Sequence, residues 1–373
     1  MSDVNALFDM EDHGEDDDVT ADQHDALVVP LGERRLVTQP YDLSLATLVS
    51  DIEKGQLLLN VAYQRKYVWD RAKASRLIES FLLNIPVPVC YFAENDDGTY
   101  EVIDGAQRVT SVNDFLSNKF RLRGVPVMSE LEGKRYDELS PKDARRLASR
   151  TIRCVVITAD SHPDIKFDVF ERLNTGSATL HEQELRNCIY RGAFNSFLKN
   201  VADLHSFERI LGGIKNSRMA YEELALRFFA LYDGISDYKP PLRQCLNQYM
   251  RSHRTSTPSK GTVKVFDETC DTVYEIFGAD AFKLVRGGQD TAFNRALFDA
   301  VMLPLAFADR RIAVERSTGV RDLRDRLLTD SEFLADIGRA TADRARMHGR
   351  VKSFADGLIA LGVPCRLPSL ADG

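Results

Sequence analysis

Asp104, Gly105, Gln107 and Arg108 stand together in the stretch Glu101-Val102-Ile103-Asp104-Gly105-Ala106-Gln107-Arg108-Val109-Thr110-Ser111. A strand pattern runs into Asp-Gly, and an amphipathic helix pattern follows at once. Polar groups at such an elbow sit where a helix N-terminus leaves N–H groups unpaired and carries partial positive charge. Anions, above all phosphates, are favoured there. Gly105 allows close backbone approach. Arg108 offers a forked donor for phosphate oxygens, set against the plainer role of a surface ion pair. Asp104 suits holding Mg²⁺ beside phosphates or orienting a water, and equally suits capping the following helix.

Two further segments bear on this elbow. Upstream lies Tyr63-Gln64-Arg65-Lys66-Tyr67-Val68-Trp69-Asp70. Its aromatics, Trp69 especially, read as core anchors, and Arg65 reads as a ligand contact. Downstream lies Phe167-Asp168-Val169-Phe170-Glu171-Arg172-Leu173-Asn174-Thr175-Gly176, a helix end passing into a loop. Asn174 suits a base edge or a phosphate, and Thr175 can donate a hydrogen bond. Left-handed C-capping is the alternative for Asn174 and the preferred reading for Gly176. Glu171 either pairs with Arg108 or Arg65 or joins Asp104 at a metal, and the sequence leaves these open.

In this order the three blocks resemble the N-terminal domain of GmrSD-type modification-dependent restriction enzymes. That domain belongs to the ParB/sulfiredoxin-like superfamily, with a related copy in SspE-type phage-defence proteins. The family hallmark Asp-Gly-Gln-Gln-Arg stands here as Asp104-Gly105-Ala106-Gln107-Arg108. The resemblance covers roughly residues 40 to 200, with family-like traces at Arg218-Met219 and Asn294-Arg295-Ala296. It implies nucleoside triphosphate binding, with Mg²⁺ as a candidate cofactor. The nucleotide contacts it implies are Gln64, Arg65, Asp104, Gly105, Gln107, Arg108, Arg172, Asn174 and Thr175. Asp104, Gln107 and Arg108 would carry any hydrolysis, and Asp104 and Glu171 are the metal candidates. Ala106 replaces the more usual glutamine, so binding is implied more directly than turnover.

The elements that must position these residues are legible from periodicity. A helix is expected over about Leu45 to Lys54, ending at Gly55, and a strand over Gln56 to Ala62. Asp70 can cap a helix running to about Asn84. Val89 to Ala93 and Thr99 to Ile103 read as a hairpin around Asn95-Asp96-Asp97-Gly98. The helix after Gly105 carries Val109, Val112, Phe115 and Leu116 on one face and ends near Asn118. Thr151 to Ala159 is another strand. The fold class is therefore α+β: a ParB/sulfiredoxin-like domain over residues 40–180, then an all-helical domain over 181–366. Thr179-Leu180-His181-Glu182 has capping-box spacing. In the second domain Tyr221, Leu224, Ala225, Phe228 and Phe229 form one face, with Glu222, Glu223 and Arg227 turned elsewhere. Further helices are expected over about 242–252, 263–277, 290–308, 331–341 and 343–360.

Composition narrows the class. The 373 residues carry a net charge of −7, but residues 1–25 hold ten acids and no Lys or Arg. Without them 46 acids face 49 bases, so the body is slightly basic. Residues 1–35 read as a disordered acidic tail, or as a competitor for a basic groove. No apolar run reaches membrane-spanning length and no secretory signal pattern opens the chain, so a cytoplasmic location is expected. The six cysteines form no C-x-x-C pair, and Cys90 and Cys154 read as reduced core residues. The seven histidines show no H-E-x-x-H spacing, and neither a P-loop nor a G-x-S-x-G elbow occurs. No His-Asn-His nuclease pattern is visible in the last third, so a nuclease is expected on a partner chain. The basic run Arg339, Arg344, Arg346, Arg350, Lys352 is the better DNA candidate, though a salt-bridged surface is the preferred reading. The leading expectation is an NTP-binding defence protein that regulates a partner nuclease or DNA binding, with a homo-oligomer allowed. A metal-dependent DNA nuclease using the same domain and a non-enzymatic assembly module are the rivals.

Overall fold

The computed structural model describes residues 35–59, 69–173, 181–286 and 289–370. Its first half is built on a five-stranded sheet of β1 (Thr38–Ser44), β2 (Leu57–Leu58), β3 (Cys90–Glu94), β4 (Tyr100–Asp104) and β5 (Thr151–Ile157). The spatial order is β1-β5-β3-β4-β2. The outer strand β1 is antiparallel to β5, β5 is parallel to β3, β3 is antiparallel to β4, and β4 is parallel to β2. Between the strands run α1 (Leu45–Glu53), α2 (Arg71–Leu83), α3 (Ala106–Leu116) and α4 (Pro141–Ser149).

Local chemistry sets these boundaries. Ser44 caps α1 by accepting from the Thr47 N–H at 3.0 Å, and Asp70 caps α2 from Lys73 at 2.7 Å. Asn84 ends α2 in the left-handed conformation. The β3–β4 hairpin closes where expected: Asp97 accepts from the backbone and hydroxyl of Thr99, and Gly98 takes a positive φ of 78°. Two strand readings need correction. β1 was not anticipated, because Thr38-Gln39-Pro40-Tyr41-Asp42 has no apolar alternation and is exposed on the sheet edge. The strand expected over Gln56 to Ala62 is only Leu57–Leu58; residues 60–62 lie outside the described ones.

The sheet has two dry faces. Cys90, Phe92, Val102, Cys154 and Val156 join the core under α1–α4, with Ile78, Phe81, Val109 and Phe115. Ala93, Ile103 and Ile157 instead belong to the core of the helical half. Strand alternation puts the two sets on opposite faces. Each buried large apolar side chain contributes roughly 1.5–3 kcal/mol, so the helical half is held to the sheet by a shared core.

That half comprises α5 (Pro163–Leu173), α6 (Glu182–Ile189), α7 (Ala193–Ala202), α8 (His205–Ile210), α9 (Ala220–Gly234), α10 (Leu242–Ser252) and α11 (Lys260–Phe277). A hairpin of β6 (Lys283–Arg286) and β7 (Gln289–Phe293) follows. Then come α12 (Arg295–Phe307), α13 (Arg310–Glu315), α14 (Ser317–Leu327), α15 (Ser331–Gly338) and α16 (Arg344–Ala360). The second half is helical as expected apart from this one hairpin, which moves the start of the helix expected from residue 290 to Arg295. Residues 289–293 pair with β6, and Asn294 starts α12 by accepting from the Leu297 N–H at 2.7 Å. The expected capping box is shifted too: α6 is capped at His181, whose N–H donates to Glu184 at 2.7 Å. Thr179 lies outside the described residues. No described helix is long and apolar enough to cross a membrane.

Candidate functional site

The elbow forms as its residue types require. β4 ends at Asp104, Gly105 turns the chain at φ 93°, and α3 begins at Ala106. A side chain at Gly105 would be strained by that φ. Its Cβ would also drive into the Cys90 sulfur, so glycine is needed twice over. The first helical bond of α3 is Val109 N–H to Gly105 O at 2.9 Å. No side chain caps the helix, so Asp104 does not take the capping role. Ala106, where the family pattern carries glutamine, packs against the core of α1–α4.

Arg108 is clamped. Its guanidinium pairs with Asp104 at 2.7 Å, donates to the Val89 carbonyl at 3.2 Å, and donates to the Pro88 carbonyl. Its side chain is only 12% exposed, against 41% for Asp104. The arginine thus ties the elbow to the start of β3, and the half-exposed carboxylate is the group presented to solvent. The Cys90 thiol beneath them is pushed up to about 11 by burial, with Arg108 lowering it and Asp104 raising it. It stays a protonated core group.

Gln107 accepts from the Trp69 N–H at 3.4 Å. This contact brings the end of the Tyr63–Asp70 block to the elbow. Trp69 packs on the core of α1–α4, as an anchor should, and the Lys73 ammonium lies 4.7 Å from its ring centre. Gln64 and Arg65 lie outside the described residues, as do Asn174 and Thr175. The described ends of both segments are Trp69, on the elbow, and Leu173, closing α5.

Glu171 and Arg172 are used elsewhere. Both Glu171 carboxylate oxygens accept from Arg243 of α10 at 2.7 Å, and that guanidinium lies 5.7 Å from the Phe167 ring centre. Glu171 therefore pairs with α10 and not with Arg108, while Arg65 lies outside the described residues. The second metal carboxylate is turned away with it. Arg172 is largely exposed and pairs with Asp168, one turn back on its own helix. Among the described residues no group of three or more metal-ligating side chains gathers. Arg243, Pro88 and Val89 were not visible from the sequence, because an arginine 72 residues downstream and two backbone carbonyls leave no local signal.

Three of the five cations in the C-terminal basic run, Arg344, Arg346 and Arg350, serve the fold. Arg350 is fully buried against Asp299 at 2.8 Å, and Asp299 also receives both donors of Arg227 at 2.7 Å. Arg344 donates to the Ser236 carbonyl, and Arg346 to those of Ala335 and Arg339. Burial of Glu222 and Arg227 on α9 likewise corrects the reading that both face away from the apolar stripe. An aspartate one helix over gives Arg227 its place inside.

Residues 45–191 match the family model described as GmrSD restriction endonuclease, N-terminal domain. This segment is a GmrSD-type N-terminal domain. No curated protein matches the chain. The match runs from the first residue of α1 to just past α6, so the GmrSD-type domain takes in the elbow, the Trp69 contact and the whole of α5. Its presence marks the chain as a component of a restriction or phage-defence system.

Proposed function

We propose that the GmrSD-type domain binds a nucleoside triphosphate at the elbow, and that the bound state is passed to a partner nuclease or to DNA binding. The observation that carries this reading is the N-terminus of α3. It is uncapped by any side chain, turned by a glycine pressed onto Cys90, and fixed in place by Arg108. Such a terminus concentrates free N–H groups and roughly half a positive charge, the setting in which phosphate binds. The ParB/sulfiredoxin-like likeness of the three sequence blocks points the same way.

The donor set fits a triphosphate carried with Mg²⁺. The elbow amides and Gln107 would face the phosphates. Asp104, half exposed and held by Arg108, would be the protein's carboxylate ligand to the metal. When bound, Mg²⁺ would neutralise phosphate charge beside that carboxylate. Arg108 acts as a positioning residue in this arrangement, holding Asp104 and the β3 start together. Arg65, Asn174 and Thr175 complete the ligand set implied by the resemblance. Glu171, engaged by Arg243, ties α5 to α10, which gives a nucleotide-dependent change at the end of α5 a route outward.

The test is a binding and hydrolysis panel with ATP, GTP, CTP and UTP, with and without Mg²⁺, on the full chain. One nucleotide should bind in preference. Gln107→Ala should weaken it at least about tenfold, the scale of one lost charge-assisted contact, in a chain that still folds cooperatively after losing the Trp69 contact. Wild-type protein that binds none of the four overturns the reading.

A further inference from the structure

Charge is unevenly spread over the GmrSD-type domain. The β3–β4 hairpin carries Glu94, Asp96, Asp97, Glu101 and Asp104. The outer layer is basic: between residues 119 and 150 nine Lys or Arg stand against five Asp or Glu. On α2 the exposed cations are Arg71, Lys73 and Arg76, while Asp70 is engaged as the cap and Glu79 is buried.

These cations share one side of the molecule. α1–α4 pack on one face of the sheet and the helical half covers the other, so the outward faces of α2 and α4 form the domain's free surface. The Arg123 N–H donates to Ser75 Oγ at 2.9 Å, which seats Arg123 beside Arg76. Lys142, Arg145 and Arg146 are exposed, and their spacing puts them on one face of α4. Among the described residues, Arg76, Arg123, Lys142, Arg145 and Arg146 have no ion-pair partner. Several arginines of the helical half are instead paired. There Arg209, Arg310 and Arg350 are matched by Asp271, Glu268 and Asp299.

An unneutralised cationic face fits a polyanion, and the chain supplies one. Residues 1–25 hold ten carboxylates and no cation. From Asp25 to Arg35 the chain can reach about 33 Å when extended. Each further residue of the tail adds about 3.3 Å, so acids well before Asp25 can span a domain whose radius of gyration is roughly 15 Å. We propose that residues 1–25 dock on the cationic face of α2 and α4 of their own chain. The contact is one of summed charge rather than fixed pairs, so it weakens steeply with salt. It stands on its own observations, independent of nucleotide binding at the elbow.

Zero-length carbodiimide cross-linking tests this, because it joins a carboxylate to a lysine amine only where the two touch. On the full chain at low salt, mass spectrometry should find residues 1–25 joined to Lys73 and Lys142. Mixing isotopically light and heavy protein should show these links within one chain. High salt should abolish them, as should combined Arg76→Glu, Arg123→Glu, Arg145→Glu and Arg146→Glu. Should that variant not fold, a chain with the ten acids changed to Asn or Gln serves instead. Its Lys73 and Lys142 must then react several-fold faster with an acetylating reagent. Links to Lys264 or Lys352 instead, links only between chains, or links that survive charge reversal would overturn the proposal. So would equal affinity of the native and acid-neutralised chains for a short DNA duplex, which would assign the face to nucleic acid.

Discussion

Replacing Arg108 by alanine separates its two roles, clamp and counter-ion. The guanidinium serves three acceptors: the Asp104 carboxylate at 2.7 Å, the Val89 carbonyl at 3.2 Å, and the Pro88 carbonyl. A hydrogen bond from a charged donor contributes about 1.5–3 kcal/mol, whereas a solvent-screened ion pair contributes only about 0.2–1 kcal/mol. Asp104 is 41% exposed, so the pair belongs at the low end. The two carbonyls dominate, since they lose their donor in a part-buried setting. Arg108→Ala should therefore cost about 2–4 kcal/mol, and Asp104→Ala about 0.5–1 kcal/mol. Urea unfolding of both single variants and the double variant at neutral pH measures the difference, with a coupling of at most about 1 kcal/mol expected. Equal losses for the two single variants, or a loss below about 1 kcal/mol for Arg108→Ala, would refute the clamp. The consequence for function is direct. A binding defect in Arg108→Ala is ambiguous, whereas Gln107→Ala probes the elbow with the clamp intact.

Three other outcomes follow from the geometry. Gly105→Ala should destabilise by about 2–4 kcal/mol, combining the left-handed backbone cost with overpacking against Cys90. Adding Cys90→Ala should restore part of that loss, and a double variant no better than Gly105→Ala would discount the steric share. Asp299→Ala should cost about 3–5 kcal/mol by stranding Arg227 and Arg350 inside the helical half; a well-folded, equally stable variant would contradict the buried-pair geometry. Burial raises Glu101 to about 7, against the lowering influence of Arg191 and Lys199. The folded chain therefore holds more protons than the unfolded one between the ordinary carboxylate range and about pH 7. Stability should fall as pH rises through that window, and Glu101→Gln should flatten the fall. Parallel pH profiles for wild type and variant would show that Glu101 is not the group responsible.

Local rules made most of the first half readable. Asp70, Asn84 and the Asn95–Gly98 turn fix their elements through contacts within four residues, and such contacts are written in the sequence. The elbow was legible for the same reason: strand, glycine and amphipathic helix follow one another without interruption. What failed was non-local. β1 is a strand only because β5 offers it a ladder, and its own residues carry no alternating pattern. Residues 289–293 extend the apparent helix of α12 by composition, yet they pair with β6. Glu171 stood within a few residues of the implied ligand set, but its partner is Arg243 on a distant helix.

The arginines of the second half show why charge counts mislead. Arg339, Arg344, Arg346 and Arg350 cluster in sequence as a nucleic-acid surface would. Arg346 and Arg350 stand four residues apart and do share a face of α16, but that face packs on α15, where they donate to the Ala335 and Asp336 carbonyls. Arg350 points inward. There Asp299, Thr341 and Asp336 supply a carboxylate and two carbonyls, and Arg227 shares the same carboxylate from the other side. Two guanidiniums around one buried carboxylate leave an excess positive charge inside the protein, and the carbonyl dipoles must offset it. That requirement fixes α9, α12 and α16 relative to one another. The cations of α4 obey the opposite logic. Lys142, Arg145 and Arg146 recur at the three- and four-residue spacing that holds one face, and no neighbouring helix covers them. Exposure and the lack of a partner, rather than the number of charges, separate a surface built to meet an anion from one built to hold helices together.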